Sequence, residues 1–350
     1  MTKKRVVYSL LLLASVSLLA SVVLVRYNAS RLSPWEIISK KPLVTLCSNK
    51  AFQEVRVPFT LQRAGWMRGG WIMVPATVSG KRVECLLDTG MWQAFNWETS
   101  VPLHGRRVGL SYPDQGTYVG SRPRFAEWMV LPDIALGGYH LRECPALAHA
   151  PDSSDDPGLA VPTLGCAAFA DVVLTLDYRR QEIIIRSADY DMTQDRVELS
   201  RYPRHCVVGL TWSESERSLW SEKGGVTTIG KPAFAGSVAG HPVQIAVDTG
   251  LVGVRLGLTS KPLIQALIRE GHTPYPFRPC RQCRRLAMLS SATWSAGNII
   301  NNDPLLPLPG FYAKDEAVVG AEFLTDYRVT IDFPRKKLLL AWDPLKTAAR

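Results

Sequence analysis

Cys85-Leu86-Leu87-Asp88-Thr89-Gly90 and Ile245-Ala246-Val247-Asp248-Thr249-Gly250 are the two stretches that decide how this chain folds. Each is a short apolar run that ends on an aspartate and then turns through Thr-Gly. A buried strand that carries a carboxylate out of water is costly to build. Two such strands in one chain point to two carboxylates meant to meet. The tripeptide alone is short enough to recur by chance, so the flanks carry the argument. Val78, Gly80, Val83 and Leu87 return 160 residues later (Asp88 to Asp248) as Val238, Gly240, Val243 and Val247.

A second block repeats downstream. Leu164-Gly165, Phe169-Ala170-Asp171, Leu174 to Arg180 and Ile183 to Ile185 return as Val319-Gly320, Phe323 to Asp326, Val329 to Arg335 and Leu338 to Leu340. The offset here is 155 (Leu164 to Val319), so only a few residues were gained or lost between the blocks. The pattern is an internal duplication of a whole lobe, and a repeat of this length outranks any local motif.

Within each lobe the pattern is β. Val329-Thr330-Ile331-Asp332-Phe333 alternates apolar and polar side chains, and Pro334-Arg335 turns the chain into the Leu338 to Leu340 run, which predicts a hairpin. Leu174 to Ile185 is its counterpart. Gly80-Lys81 and Gly240-His241 mark a turn before each Asp strand. The best amphipathic helix is Lys261 to Glu270, with Leu263, Ala266 and Leu267 on one face. The 26 Gly and 24 Pro residues fit short strands joined by turns. We read lobe one over 55–186, a polar, charge-rich connector over 187–225 and lobe two over 226–345. Each lobe is long enough to bury its own core.

Residues 1–30 are read as a membrane anchor. Lys3-Lys4-Arg5 precede Val6 to Val25, an uncharged run that would span about 30 Å as a helix. The basic residues keep the amino terminus in the cytoplasm, which puts the body on the periplasmic, extracytoplasmic side of a single-pass membrane protein. A cleaved signal peptide is the rival reading, but its apolar core is normally about 7–15 residues, and no small-x-small site follows this one.

The formal net charge of +10, from 41 basic and 31 acidic residues, suits a solvated basic face or an anionic membrane surface. Nucleic acid is not an expected partner, because no run interleaves basic and aromatic residues. Seven cysteines include Cys280-Arg281-Gln282-Cys283 in an Arg-rich loop. That pair lacks the second pair a zinc site needs, and a local disulfide fits an oxidising compartment. Cys85 and Cys166 sit in strand or turn contexts and read as buried thiols. Neither a metal nor a cofactor is predicted.

Two aspartates held about 3 Å apart cannot both ionise, so they share a proton. The ionised member can take a proton from water while the protonated one donates to a carbonyl oxygen. Thr89 and Thr249 are placed to bond across to the opposite loop, and Gly90 and Gly250 allow close packing. Asp177 and Asp332 also repeat, but they sit at hairpin turns and read as structural. The plain alternative for Asp88 and Asp248 is two unrelated strand-end caps.

On these residues the chain resembles the aspartic proteases of the pepsin and retropepsin clan, over nearly everything after residue 70. Each lobe carries apolar-apolar-Asp-Thr-Gly and then apolar-apolar-Gly, here Leu164-Gly165 and Val319-Gly320. The Phe-x-x-Asp and Thr-x-Asp-Tyr/Phe block is similar to the bacterial retropepsin-like branch. The resemblance implies an all-β fold of two closed β-barrel lobes related by a pseudo-twofold axis, with peptide cleavage between them by Asp88 and Asp248. Lobe pairing within a single chain implies a monomer; pairing between chains, as in homodimeric relatives, is the alternative. Met91 and Leu251 stand where the family has Ser or Ala, so the dyad loses a hydroxyl donor. The expected substrate-covering flaps are Gly105 to Gly120 with Tyr112 and Tyr118, and Ser290 to Gly297 with Trp294. A different functional class stays open: a membrane-anchored peptide-binding or scaffold protein that keeps the fold without the chemistry.

Overall fold

The computed structural model describes residues 45–46, 54–63, 69–91, 93–107, 112–114, 124–150, 161–212, 231–277, 286–308 and 316–343. The amino-terminal apolar run, Tyr118, Cys280 and Cys283 lie outside the described residues. Among the described residues, no helix is long and apolar enough to cross a membrane.

The architecture is all-β, with two barrel lobes and few helices. Among the described residues, the first lobe is a ten-stranded sheet, and the second belongs to a thirteen-stranded sheet that runs on into the strands between the lobes. In lobe one, Gly70–Val78 pairs with Lys81–Leu87 through a two-residue turn at Ser79-Gly80. Lobe two repeats this with Pro232–Val238, His241–Val247 and Ala239-Gly240. All four turn residues have positive φ, near 49° and 80° in one lobe and 48° and 84° in the other. That twist matches tight hairpins, and Gly takes it without strain.

The hairpins read from the second repeat join the lobes. Val172–Asp177 pairs with Glu182–Ser187, and Tyr327–Asp332 pairs with Lys337–Trp342. The two hairpins meet edge to edge, with Thr175 opposite Thr330 and their hydroxyls 2.9 Å apart. This pair lies on the pseudo-twofold axis. Glu54–Pro58 closes one side of this bridging sheet and His205–Trp212 the other. His205–Trp212 also pairs with Pro232–Val238, so it ties the bridging sheet to lobe two.

Asp177 and Asp332 are structural. Each is fully buried, and each accepts a hydrogen bond at 2.9 Å from the backbone N–H three residues on, in Arg180 and Arg335. The helix read near 261 spans Lys261–Arg269; Ser260 caps it by accepting from Leu263 N, and Leu263 and Leu267 are its buried face.

Candidate active site

Each Asp-Thr-Gly turn is held from below by the strand of its own lobe's apolar-apolar-Gly segment. Thr163–Leu164 runs parallel to Lys81–Leu87 and antiparallel to Phe95–Glu98, so it lies between the two arms of the first loop. Ala317–Val319 lies in the same way between His241–Val247 and Leu256–Leu258. Asp88 N donates to Leu164 O at 2.9 Å, and Asp248 N donates to Val319 O at 3.0 Å. The glycine after each strand has a steric reason. A Cβ on Gly165 would lie 2.6 Å from Met91 O, and one on Gly320 would lie 2.7 Å from Val254 O. Only glycine lets the strand sit this close under the loop.

The two loops lock together through their threonines. Thr89 Oγ1 accepts from Thr249 N at 3.1 Å and donates to Val247 O at 2.8 Å. Thr249 Oγ1 accepts from Thr89 N at 2.9 Å and donates to Leu87 O at 2.8 Å. Both threonines are essentially inaccessible to solvent. Each hydroxyl therefore uses its donor and an acceptor lone pair on the opposite lobe, in a closed four-bond exchange.

This exchange brings Asp88 and Asp248 together. Gly90 lies against the Asp248 carboxylate, where an added Cβ would come 2.6 Å from Oδ1. Gly250 lies against Asp88, where a Cβ would come 2.6 Å from Cγ. The aspartates interact side chain to side chain. Gly90 N donates to Asp88 Oδ1 at 2.7 Å, while Asp248 Oδ1 accepts from Gly250 N at 2.8 Å and Leu251 N at 3.0 Å. Burial pushes the Asp88 carboxyl well above the usual carboxylate range, and the charge and hydrogen bond of Asp248 push it further; the Gly90 N–H and the cation of Lys231 pull it partly back.

Met91 and Leu251 occupy the positions where a hydroxyl was expected to be missing. Met91 is buried, and its side chain packs beneath Gly165. Leu251 supplies its backbone N–H to Asp248 and sends its side chain between two small apolar clusters. On the lobe-two side, a main-chain donor thus stands in for part of the missing hydroxyl.

The flap residues fare differently. Trp294 was expected on a substrate-covering hairpin, and the structure corrects this. Its side chain is fully buried, its Nε1 donates to Asp303 Oδ2 at 2.9 Å, and its ring packs edge-on to Phe323. The hairpin of Leu286–Ala296 and Ile299–Pro307 turns at Gly297, which rests on Cys206 and Val208 of the bridging strand rather than over the dyad. In lobe one, Tyr112 lies on a short strand, Tyr112–Asp114, paired with Arg124–Leu136. Cys85, Cys144, Cys166 and Cys206 are buried, and Cys166 Sγ donates to Thr89 O at 2.9 Å beneath the site.

Two residues next to the dyad escaped the reading of the sequence. Trp71 lies near the start of Gly70–Val78, the strand that pairs with the one leading into Asp88, and its Nε1 crosses the lobe boundary to donate to Gly250 O at 3.2 Å. Lys231 stands 160 residues later, at the same place in lobe two, and its charge reaches Asp88. The offset that paired the aspartates also pairs these two, but the chemistry differs, so matching by identity passed over them. Arg255 is a third case. It stands at the place of Ala94 of lobe one, its carbonyl accepting from Gly320 N as that of Ala94 accepts from Gly165 N, and its side chain ties Asp303 at 2.8 Å and Asp326 at 2.7 Å beneath the second loop.

No protein-family model matches the sequence, and no curated protein matches it by sequence. Solved structures do match in fold. An aspartic proteinase from Irpex lacteus superposes with a TM-score of 0.52 at 13% identity, covering 84% of this chain and 99% of that one. Basic 7S globulin from soybean gives a TM-score of 0.50 at 10% identity, covering 84% and 95%. The chain therefore shares the two-lobed, pepsin-like fold. That fold is common to proteins named as a proteinase and as a globulin, so the fold alone does not assign a reaction.

Proposed function

We propose that this chain is an aspartic-type endopeptidase, with Asp88 and Asp248 as the catalytic pair. One observation carries the reading: each Asp-Thr-Gly glycine is seated against the carboxylate of the opposite lobe, so the two acids are held as one proton-sharing unit. The ionised member of the pair takes a proton from a water molecule. The protonated member donates to the carbonyl oxygen of the peptide bond as that water attacks. The proton then returns through the pair to the leaving amine. Neither a covalent intermediate nor a metal is called for in this sequence of steps. Thr89, Gly90, Thr249 and Gly250 hold the geometry, and both lobes come from one chain, which favours a monomer.

The competing reading is a peptide-binding or scaffold protein of the same fold, and the shared fold of the soybean globulin favours keeping it in view. It predicts binding without turnover. In the protease reading, Val6 to Val25 tether the body to a membrane and Lys3, Lys4 and Arg5 orient it outward; a reporter fused after Arg350 that is active only in the cytoplasm would refute that orientation. The decisive experiment incubates the full chain with a peptide library from pH 3 to 8 and reads new termini by mass spectrometry. Cleavage that disappears in both Asp88→Asn and Asp248→Asn supports the protease. Cleavage that survives either substitution sinks the assigned pair, and binding without cleavage supports the scaffold.

A further inference from the structure

The two halves of the site match in their acids, threonines and glycines but not in the residue that opens the first strand of each lobe. In lobe one, Met73 pairs with Leu86, and two steps back along that register Trp71 stands opposite Asp88. In lobe two, Ala233 pairs with Ala246, and two steps back Lys231 stands opposite Asp248. Trp71 does not stay in its own lobe, since its indole N–H reaches the Gly250 carbonyl. Lys231 holds the equivalent place in lobe two, and its charge is felt at Asp88 in the Asp-Thr-Gly turn of lobe one. A neutral aromatic donor and a cation thus occupy equivalent places on either side of two acids.

We propose that Lys231 tunes the acid pair, holding it in its singly ionised form to more acidic pH than two buried carboxylates would otherwise allow. The charged groups that act on Asp88 are Asp248, which opposes ionisation, and Lys231, which favours it. A cation beside a buried pair lowers both of the pair's apparent titrations together, because those belong to the pair rather than to one residue. Lys231 acts through the dyad and not on substrate, so it is a positioning residue. Its half-buried place at the start of a strand allows substitution without opening the core. The inference rests on the protease reading only for its kinetic readout.

The test compares wild type with Lys231→Met and Lys231→Arg in the full chain. Two measurements are made: the pH dependence of kcat/KM on one fluorogenic peptide chosen from the library, and the titration of aspartate carboxyls by carbon-13 NMR. In Lys231→Met, both limbs of the rate profile and both carboxyl titrations should move up by about one pH unit, and Lys231→Arg should restore them. A kcat loss in Lys231→Met with no movement of either limb would assign a merely structural role and overturn the proposal. If wild type cleaves nothing yet its carboxyl titrations move as stated, the tuning stands and the protease reading falls. If neither titration moves, the tuning falls whatever the activity.

Discussion

Replacing Gly250 by Ala probes the geometry that carries the argument. The added Cβ would sit 2.6 Å from Asp88 Cγ and 2.7 Å from each carboxylate oxygen. Carbon atoms in good contact stay about 3.5–4.0 Å apart, so the Asp88 head group or the whole loop must retreat by about 1 Å. Gly250 is not among the positive-φ residues, so the cost is steric and not conformational. Overpacking of this kind costs about 1–3 kcal/mol of stability. A 1 Å displacement of a reacting group costs about a hundredfold in rate. The expected result is therefore a lower urea midpoint and a kcat reduced by about two orders of magnitude with KM little changed, since the clash lies between the acids and not in the cleft. Gly209→Ala is the control, because a Cβ there meets nothing within 4 Å. If Gly250→Ala unfolds at the wild-type midpoint and keeps kcat within about threefold, the carboxylates are not packed as described and the reasoning fails.

Thr249→Ala should leave Thr89 N and Leu87 O without their cross-lobe partner, at about 1–3 kcal/mol for each orphaned buried group, while Thr249→Ser stays near wild type in denaturant unfolding. Asp88→Asn should become more stable relative to wild type as pH rises above about 4. The raised carboxyl binds its proton more tightly in the folded state, so wild-type stability falls between the unfolded value and the raised one, and the amide removes that slope. Urea melts from pH 3 to 7 check it, and parallel curves would refute it. Arg255→Met should cost about 3–5 kcal/mol by removing the cation from buried Asp326 and half-buried Asp303, measured against Arg255→Lys.

What could be read from the sequence was whatever is local and repeated. The Asp strands, their tight turns and the bridging hairpins each occupy a few consecutive residues, and each occurs twice at a fixed offset. Trp294 could not be placed that way. An aromatic near a hairpin turn looks the same whether it covers a cleft or fills a core. The facts that decide it are the hydrogen bond to Asp303 and the contact with Phe323, and neither partner is adjacent in sequence. The glycines after Leu164 and Val319 were found by pattern, but their reason, a carbonyl where a Cβ would stand, is visible only in three dimensions.

The positions that stayed alike and those that diverged follow one physical rule. Thr89 bonds Thr249, Thr175 bonds Thr330, and Gly90 and Gly250 each face the other loop's acid. These residues lie on or beside the twofold axis, where each is part of its own copy's environment. A change in one half there alters both halves at once. Trp71 and Lys231, or Ala94 and Arg255, meet different partners in their two lobes, so either can change alone. A peptide has a direction, and a site that distinguishes its amino-terminal from its carboxy-terminal side must be unequal somewhere. In this chain the inequality begins at the acids, where Asp248 accepts from two amide N–H groups and Asp88 from one, and continues one layer out, where an indole and a cation hold equivalent places.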